Sequence, residues 1–227
     1  MTEDVQARDI VLDRIRTGLH VSKTDGVREA AVRDRLYKHP RGTIPARALV
    51  RDQEAIALFA EMLTEQGAEL VRAANPEGVV RAVADYLASN ELPLTLRVSE
   101  EPVLAALPWA LAPSIALSFG AAAPSDNASL TRGLVAAAET GTLVMVSGLG
   151  NPTTLNFLPE THMVLIDGRD IVGSYEDAFD RLRSLYGAGT LPRTVNLISG
   201  PSRTADIEQT IVRGAHGPKR LFVIVLG

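Results

Sequence analysis

From Asp52 onward, short apolar runs alternate with stretches whose apolar residues recur at helical spacing. Runs such as "MVLI" within His162–Asp167 and "LFVIVL" (Leu221–Leu226) have no polar face. A strand of that kind must be covered on both sides, as in a parallel sheet with helices packed against it. The stretches between supply those helices. Ile56, Phe59, Ala60 and Leu63 mark one helix face, and Gly67 stands where a left-handed cap would end it. "NPEG" offers Asn75 as an N-cap with Pro76 at the first helical position, ahead of a stripe of Val80, Val83, Ala84 and Leu87.

The same reading places strands at Ala68–Val71, from Leu94, at Ser114–Phe119, Thr142–Val146 and His162–Asp167, at Thr194–Ser199, and at Leu221–Leu226. Helices are expected at Ser129–Glu139 and Tyr175–Tyr186, with a short one between the last two strands. Ser125, Asp126 and Asn127 have the residue types of an N-cap for the Ser129 helix. The strands after Gly141 are closely spaced, which leaves room for antiparallel pairs. The expected fold is α/β, with a mostly parallel or mixed sheet flanked by helices.

Residues 1–51 follow another pattern. Val11, Ile15 and Leu19 recur every four residues, a weaker helical stretch covers Val27–Tyr37, and "KHPRGTIPAR" then breaks all periodicity. Between Val27 and Arg51 seven Arg and Lys face only Glu29 and Asp34, which suits a solvated arm or a dock for an acidic partner. The division expected is an N-terminal helical arm at 1–51 and an α/β domain at 52–227.

Composition narrows the function. With 23 basic and 27 acidic residues the formal charge is −4, giving no global reason to expect nucleic acid. No apolar stretch approaches the roughly 18 residues that span a bilayer, and the charged start lacks a signal peptide's apolar region, so cytoplasm is the expected location. Cysteine is absent, which removes thiol nucleophiles and thiolate-held iron–sulfur clusters from this chain. The four histidines are scattered, with no pair at i, i+4, so no metal site is expected. P-loop spacing and the GxSxG nucleophile elbow are also missing.

Three loops carry the unusual polarity. One is the Ser125–Asn127 loop. A second contains Glu139, Thr140, Gly141 and Thr142 and continues into the Gly-rich "SGLGNPT" (Ser147–Thr153). A carboxylate at the end of an Ala-rich helix would oppose the helix dipole, which marks Glu139 as a catalytic candidate. The third follows the Thr194–Ser199 strand: Gly200, Pro201, Ser202, Arg203 and Thr204, with Asp206 and Glu208 behind them. Hydroxyls and a guanidinium at a helix start would cradle an anion, although the two carboxylates would repel one. An Arg203–Asp206 pair would instead fix the loop. His216, between two glycines, has the type needed for acid–base work near neutral pH. The candidate ligand residues are therefore Thr140, Gly141, Thr142, Gly200, Ser202, Arg203, Thr204 and His216.

"AAAETGTLVM", "LPETHMVLID" and "LISGPSRTADIEQTIVRGAHGPKRLFVIVLG" resemble the second half of LUD-domain proteins, in particular the lactate-utilisation protein C family. The resemblance is strong over about 110–227. It implies a fold like that of ribose-phosphate isomerase and the CoA transferases. It also implies a non-redox part in oxidising L-lactate to pyruvate, beside partner proteins that carry iron–sulfur clusters. A second possibility is a stand-alone acyl/CoA-transfer or sugar-phosphate enzyme, with Glu139 as nucleophile or base and Ser202–Thr204 as its oxyanion or phosphate cradle.

Overall fold

The computed structural model of the chain describes residues 2–23, 25–207 and 210–227. Its contacts group residues 1–42 and residues 43–227 into two units. The smaller unit contains α1 (Thr2–Gly18) and α2 (Gly26–Lys38). Asp25 caps α2 by accepting the Arg28 N–H at 3.1 Å, and Asp34–Lys38 forms an i, i+4 ion pair. No side chain of α2 is buried.

In the larger unit α3 (Asp52–Glu65) ends as its sequence requires, with Gly67 at φ +82°. Then come β1 (Glu69–Ala73), α4 (Pro76–Ser89), β2 (Thr95–Val98), the one-turn α5 (Pro102–Ala105) and β3 (Ala116–Phe119). Asn75 accepts the Gly78 N–H at 2.9 Å with Pro76 in the first turn, the cap that the residue order called for. After these follow β4 (Ala128–Arg132), β5 (Val135–Ala137), β6 (Thr142–Val146), the one-turn α6 (Thr154–Phe157), β7 (Thr161–Asp167) and β8 (Ile171–Val172). The chain closes with α7 (Tyr175–Tyr186), β9 (Val195–Ile198), β10 (Arg203–Ile207), β11 (Thr210–Arg213) and β12 (Arg220–Leu226).

Six strands form a wholly parallel sheet in the order β1-β12-β7-β4-β2-β3. A separate four-stranded sheet, β8-β5-β6-β9, contains the antiparallel pairs β5–β6 and β6–β9 and the parallel pair β5–β8, and β10 and β11 form an antiparallel ribbon of their own. One face of the parallel sheet packs on α4 and α5 through Val79, Val83, Leu87, Leu104, Leu130, Met163 and Ile224, all inaccessible to solvent. Each such side chain contributes about 1.5–3 kcal/mol by leaving water. The other face packs on α3 and the second sheet through Phe59, Leu63, Leu143, Met145, Val164, Ile166 and Val223. Tyr86 stacks on Phe222 with ring centroids 4.0 Å apart, and donates its hydroxyl to Glu69. Among the described residues no helix is long and apolar enough to cross a membrane.

Two expected helices are strands instead. Ser129–Glu139 forms β4, β5 and a single 3-10 turn, not a helix. Its alanines favour a helix intrinsically, but almost every residue of the stretch is buried and none offers the polar face a surface helix needs. The crossing between sheets takes up the backbone donors. Gly133 N–H goes to Leu165 O of the first sheet, and the next N–H, of Leu134, to Val144 O of the second. Accordingly Ser125–Asn127 caps no helix. Asp126 accepts the Ala123 N–H and pairs with Arg97 at 2.9 Å. Burial alone would raise its carboxyl, but the bonds from Arg97 and Ala123 hold it below the ordinary carboxylate range.

Similarly, the expected short helix before the last strand is the antiparallel β10–β11 hairpin. Its Thr, Ile and Val residues suit a strand better than a first helical turn. The stem is closed by Ser202 N–H to Pro218 O and Gly214 N–H to Ser202 O.

Candidate functional site

In an α/β sheet, ligands bind beyond the carboxyl ends of the strands. In this fold a cleft of about 360 Å³ opens there, at the small end of the roughly 300–1,000 Å³ usual for small-molecule sites. Each wall follows from the topology. Arg132 is the last residue of β4, and Glu101 follows the end of β2. Asp170 closes the 3-10 turn after β7. Arg181 reaches in from α7, whose start is held by the Ser174 side chain accepting the Asp177 N–H.

The remaining wall is the Gly-rich turn after β6. Gly148 and Asn151 exchange backbone hydrogen bonds at 3.2 Å, and Asn151 Nδ2 donates to Val146 O at 2.9 Å. Gly150 accepts the Glu100 N–H at 2.7 Å, and a Cβ at position 150 would come within 3.3 Å of the Glu100 backbone. Asn151 Oδ1 is buried with no partner among the described residues.

Asp170 is the electrostatic centre. Its side chain is only 9% exposed and receives Arg181 at 2.9 Å and Arg132 at 3.7 Å. A buried carboxylate is tolerated when opposite charges offset its desolvation. Those contacts use one nitrogen of each guanidinium, and each guanidinium carries five N–H donors. Burial pushes the Glu101 carboxyl up, against the opposing pull of Arg132. The cleft thus combines two guanidiniums, the Asp170 carboxylate they pair with, and the Glu101 carboxyl, which burial pushes up. The guanidinium donors left over in such a set can pair with a small anion. A wider groove of about 650 Å³ runs along the edge strand β1 and α4, away from the strand ends. Its Glu69 carboxylate is already engaged by Tyr86.

Arg132, Asp170, Arg181 and Glu101 were not among the residues singled out from sequence. They lie far apart in the chain and form no motif. The available signals were Arg132, the lone charge within Ser129–Ala138, and the Glu100–Glu101 pair shortly after the strand expected from Leu94.

The structure places the singled-out residues elsewhere. Glu139 lies in a 3-10 turn rather than at a helix end, so the opposing-dipole argument does not hold. It is 6% exposed, and Oε1 accepts the Tyr175 N–H at the start of α7, where a carboxylate complements the dipole. It lines neither the 360 Å³ cleft nor the smaller one described next. Gly141 has φ +63° and packs against the backbone of Leu63, so tightly that a Cβ would collide with it.

Thr140 and Thr142 share hydrogen bonds with each other and with the Tyr175 hydroxyl, and Thr142 reaches Ser199 at 2.7 Å. This network joins the second and third polar loops. Gly200, Ser202 and His216 line a second cleft of about 190 Å³ with Asn156 and His162. Arg203 is exposed, with its guanidinium beside Gly67. The side chains of Thr204 and Asp206, and Glu208 as a whole, lie outside the described residues. Among the described residues no three metal-ligating side chains gather.

Comparison with known proteins agrees with this architecture. The crystal structure of a DUF162 family protein from Deinococcus radiodurans superposes with a TM-score of 0.55 and 21% identity, covering 78% of this chain and 99% of that one. Lactate utilization protein C of Shouchella clausii is 38% identical over 89 residues, 39% of each chain. The protein of the same name from a Geobacillus species is 37% identical over 105 residues, 46% of this chain and 44% of its own. The matches therefore span less than half the length of these curated relatives. The LUD domain model matches residues 56–226, which includes both sheets and both clefts, and the chain belongs to the LUD-domain family.

Proposed function

We propose that this chain is the non-redox component of an L-lactate utilisation system, and that the Arg132–Arg181 cleft receives the small carboxylate. Relatives named for lactate utilisation support the system. The observation that carries the site is the convergence of two guanidiniums on the buried Asp170 at the strand ends.

In this reading the donors that Asp170 leaves unused bind the substrate carboxylate, and Arg181 supplies most of the attraction from its half-exposed position. Glu101, whose carboxyl burial pushes up, lines the same cleft and offers a hydrogen-bonding partner to the 2-hydroxyl. The Gly148–Asn151 turn closes the rim. In this reading electron transfer belongs to partner proteins with iron–sulfur clusters, and this chain, having no cysteine, supplies no thiolate ligand for one.

The test is lactate-dependent dye reduction by the native partners, purified with and without this chain. The reading expects activity to fall without the chain and to return when it is added back. Equal activity in both preparations would overturn it.

A further inference from the structure

The smaller cleft lies at the opposite end of the parallel strands and has a different chemistry. It is lined by His162, the second residue of strand β7, with no solvent exposure. His162 Nε2 is 2.7 Å from Thr131 Oγ1, while Nδ1 has no partner among the described residues. Asn156, 2% exposed on α6, also lines the cleft, and its Oδ1 likewise has no partner among the described residues. Leaving a buried polar atom unpaired costs about 1–3 kcal/mol, so two around one cavity call for a partner from outside the chain.

Charge narrows what that partner is. Among the described residues no carboxylate, guanidinium or ammonium lines this cleft. Burial holds the His162 imidazole down at about 3, so the ring is neutral at physiological pH. Phe157, Leu197 and Leu221 supply apolar walls, and Ser202 and His216 stand at the rim. An anion entering here would lose its hydration without meeting a buried cation. An uncharged molecule with a hydroxyl or amide would lose less. It would give Asn156 Oδ1 a donor, and its hydroxyl would suit either tautomer of His162 Nδ1. Taking about 30 Å³ per water, 190 Å³ admits about six waters, or one compact organic molecule.

The geometry points to a second ligand site between Asn156, His162 and the Ser199–Ser202 turn, selective for a small uncharged hydroxyl- or amide-bearing molecule. It is separate from the anion cleft and stands whether or not the lactate reading is correct. The site gives the Ser199–Ser202 turn and His216 a common role, as the lip of a neutral pocket rather than a phosphate cradle.

The experiment is histidine-detected nitrogen NMR on the full chain, titrated with L-lactamide and, separately, with L-lactate. These probes match in size and differ in charge. The expected result is a saturable shift of the His162 Nδ1 resonance with lactamide and none with lactate. In Asn156→Leu the lactamide dissociation constant should rise roughly tenfold or more. A flat lactamide titration of the unmodified chain would overturn the proposal, as would an equal response to lactate. A crystal structure grown with lactamide and showing only ordered waters in the cleft would overturn it as well.

Discussion

Glu139 Oε1 accepts the Tyr175 N–H at 2.7 Å, tying the turn after β5 to the first residue of α7. The backbone is tied in parallel, since Glu139 N–H donates to Gly173 O at 3.0 Å. A buried carboxylate there holds a helix start in place and complements its dipole. Glu139→Ala leaves a helix N–H without its acceptor, so a loss of about 1–3 kcal/mol is expected in urea denaturation. Glu139→Gln keeps an acceptor oxygen and should lose less. If Glu139→Gln abolished activity while leaving stability unchanged, Glu139 would have a chemical role and this account of it would be wrong.

Gly141 has φ +63° directly above the backbone of Leu63 in α3. An added Cβ must displace that helix or the 3-10 turn beneath it, and the positive φ adds strain of its own. Gly141→Ala is expected to destabilise by more than about 3 kcal/mol. Thermal unfolding measures this, and a melting temperature within a degree or so of the parent would show that the close packing is not as described.

Acid sensitivity should follow from His162. In the folded chain its imidazole titrates at about 3, against 6.5 when unburied. Between those values the unfolded chain binds a proton that the folded chain refuses, so stability falls as pH drops below 6.5 and the loss is complete near 3. At pH 5 the cost is about 2 kcal/mol relative to neutral pH, at roughly 1.4 kcal/mol per unit. Comparing urea denaturation at pH 7 and pH 5 in the parent and in His162→Leu isolates this contribution. The parent should lose about 2 kcal/mol more than the variant. Equal losses would mean that His162 is hydrated in the folded state.

The legible parts of the fold were those where local and global preferences coincide. Asn75 and Pro76 announce α4, and the uninterrupted runs of β7 and β12 announce buried parallel strands. The chain misleads where they conflict. "SLTRGLVAAAE" has helical composition, but it is buried within the larger unit, where it passes from one sheet to the other and Ala is small enough to fit. Likewise Asp206 resembled a first-turn carboxylate only while a helix was assumed, and it belongs to a strand. The candidate site was harder still. Thr142 belongs to one polar loop and Ser199 only ends an expected strand, and strand pairing between β6 and β9 brings the two together. Arg132, Asp170 and Arg181 come from three elements that no local pattern links, and only the parallel topology gathers them.

The central claim is that Arg132 and Arg181 form a carboxylate site at the strand ends. Isothermal titration of L-lactate into the full chain tests it most directly, alongside Arg181→Ala. Arg181 is half exposed on α7, so its removal should leave the melting temperature close to that of the parent. The account predicts saturable binding to the parent, weakened roughly tenfold or more in Arg181→Ala and reduced by added salt. Absence of binding to the parent, or equal affinity in the two proteins, would contradict it.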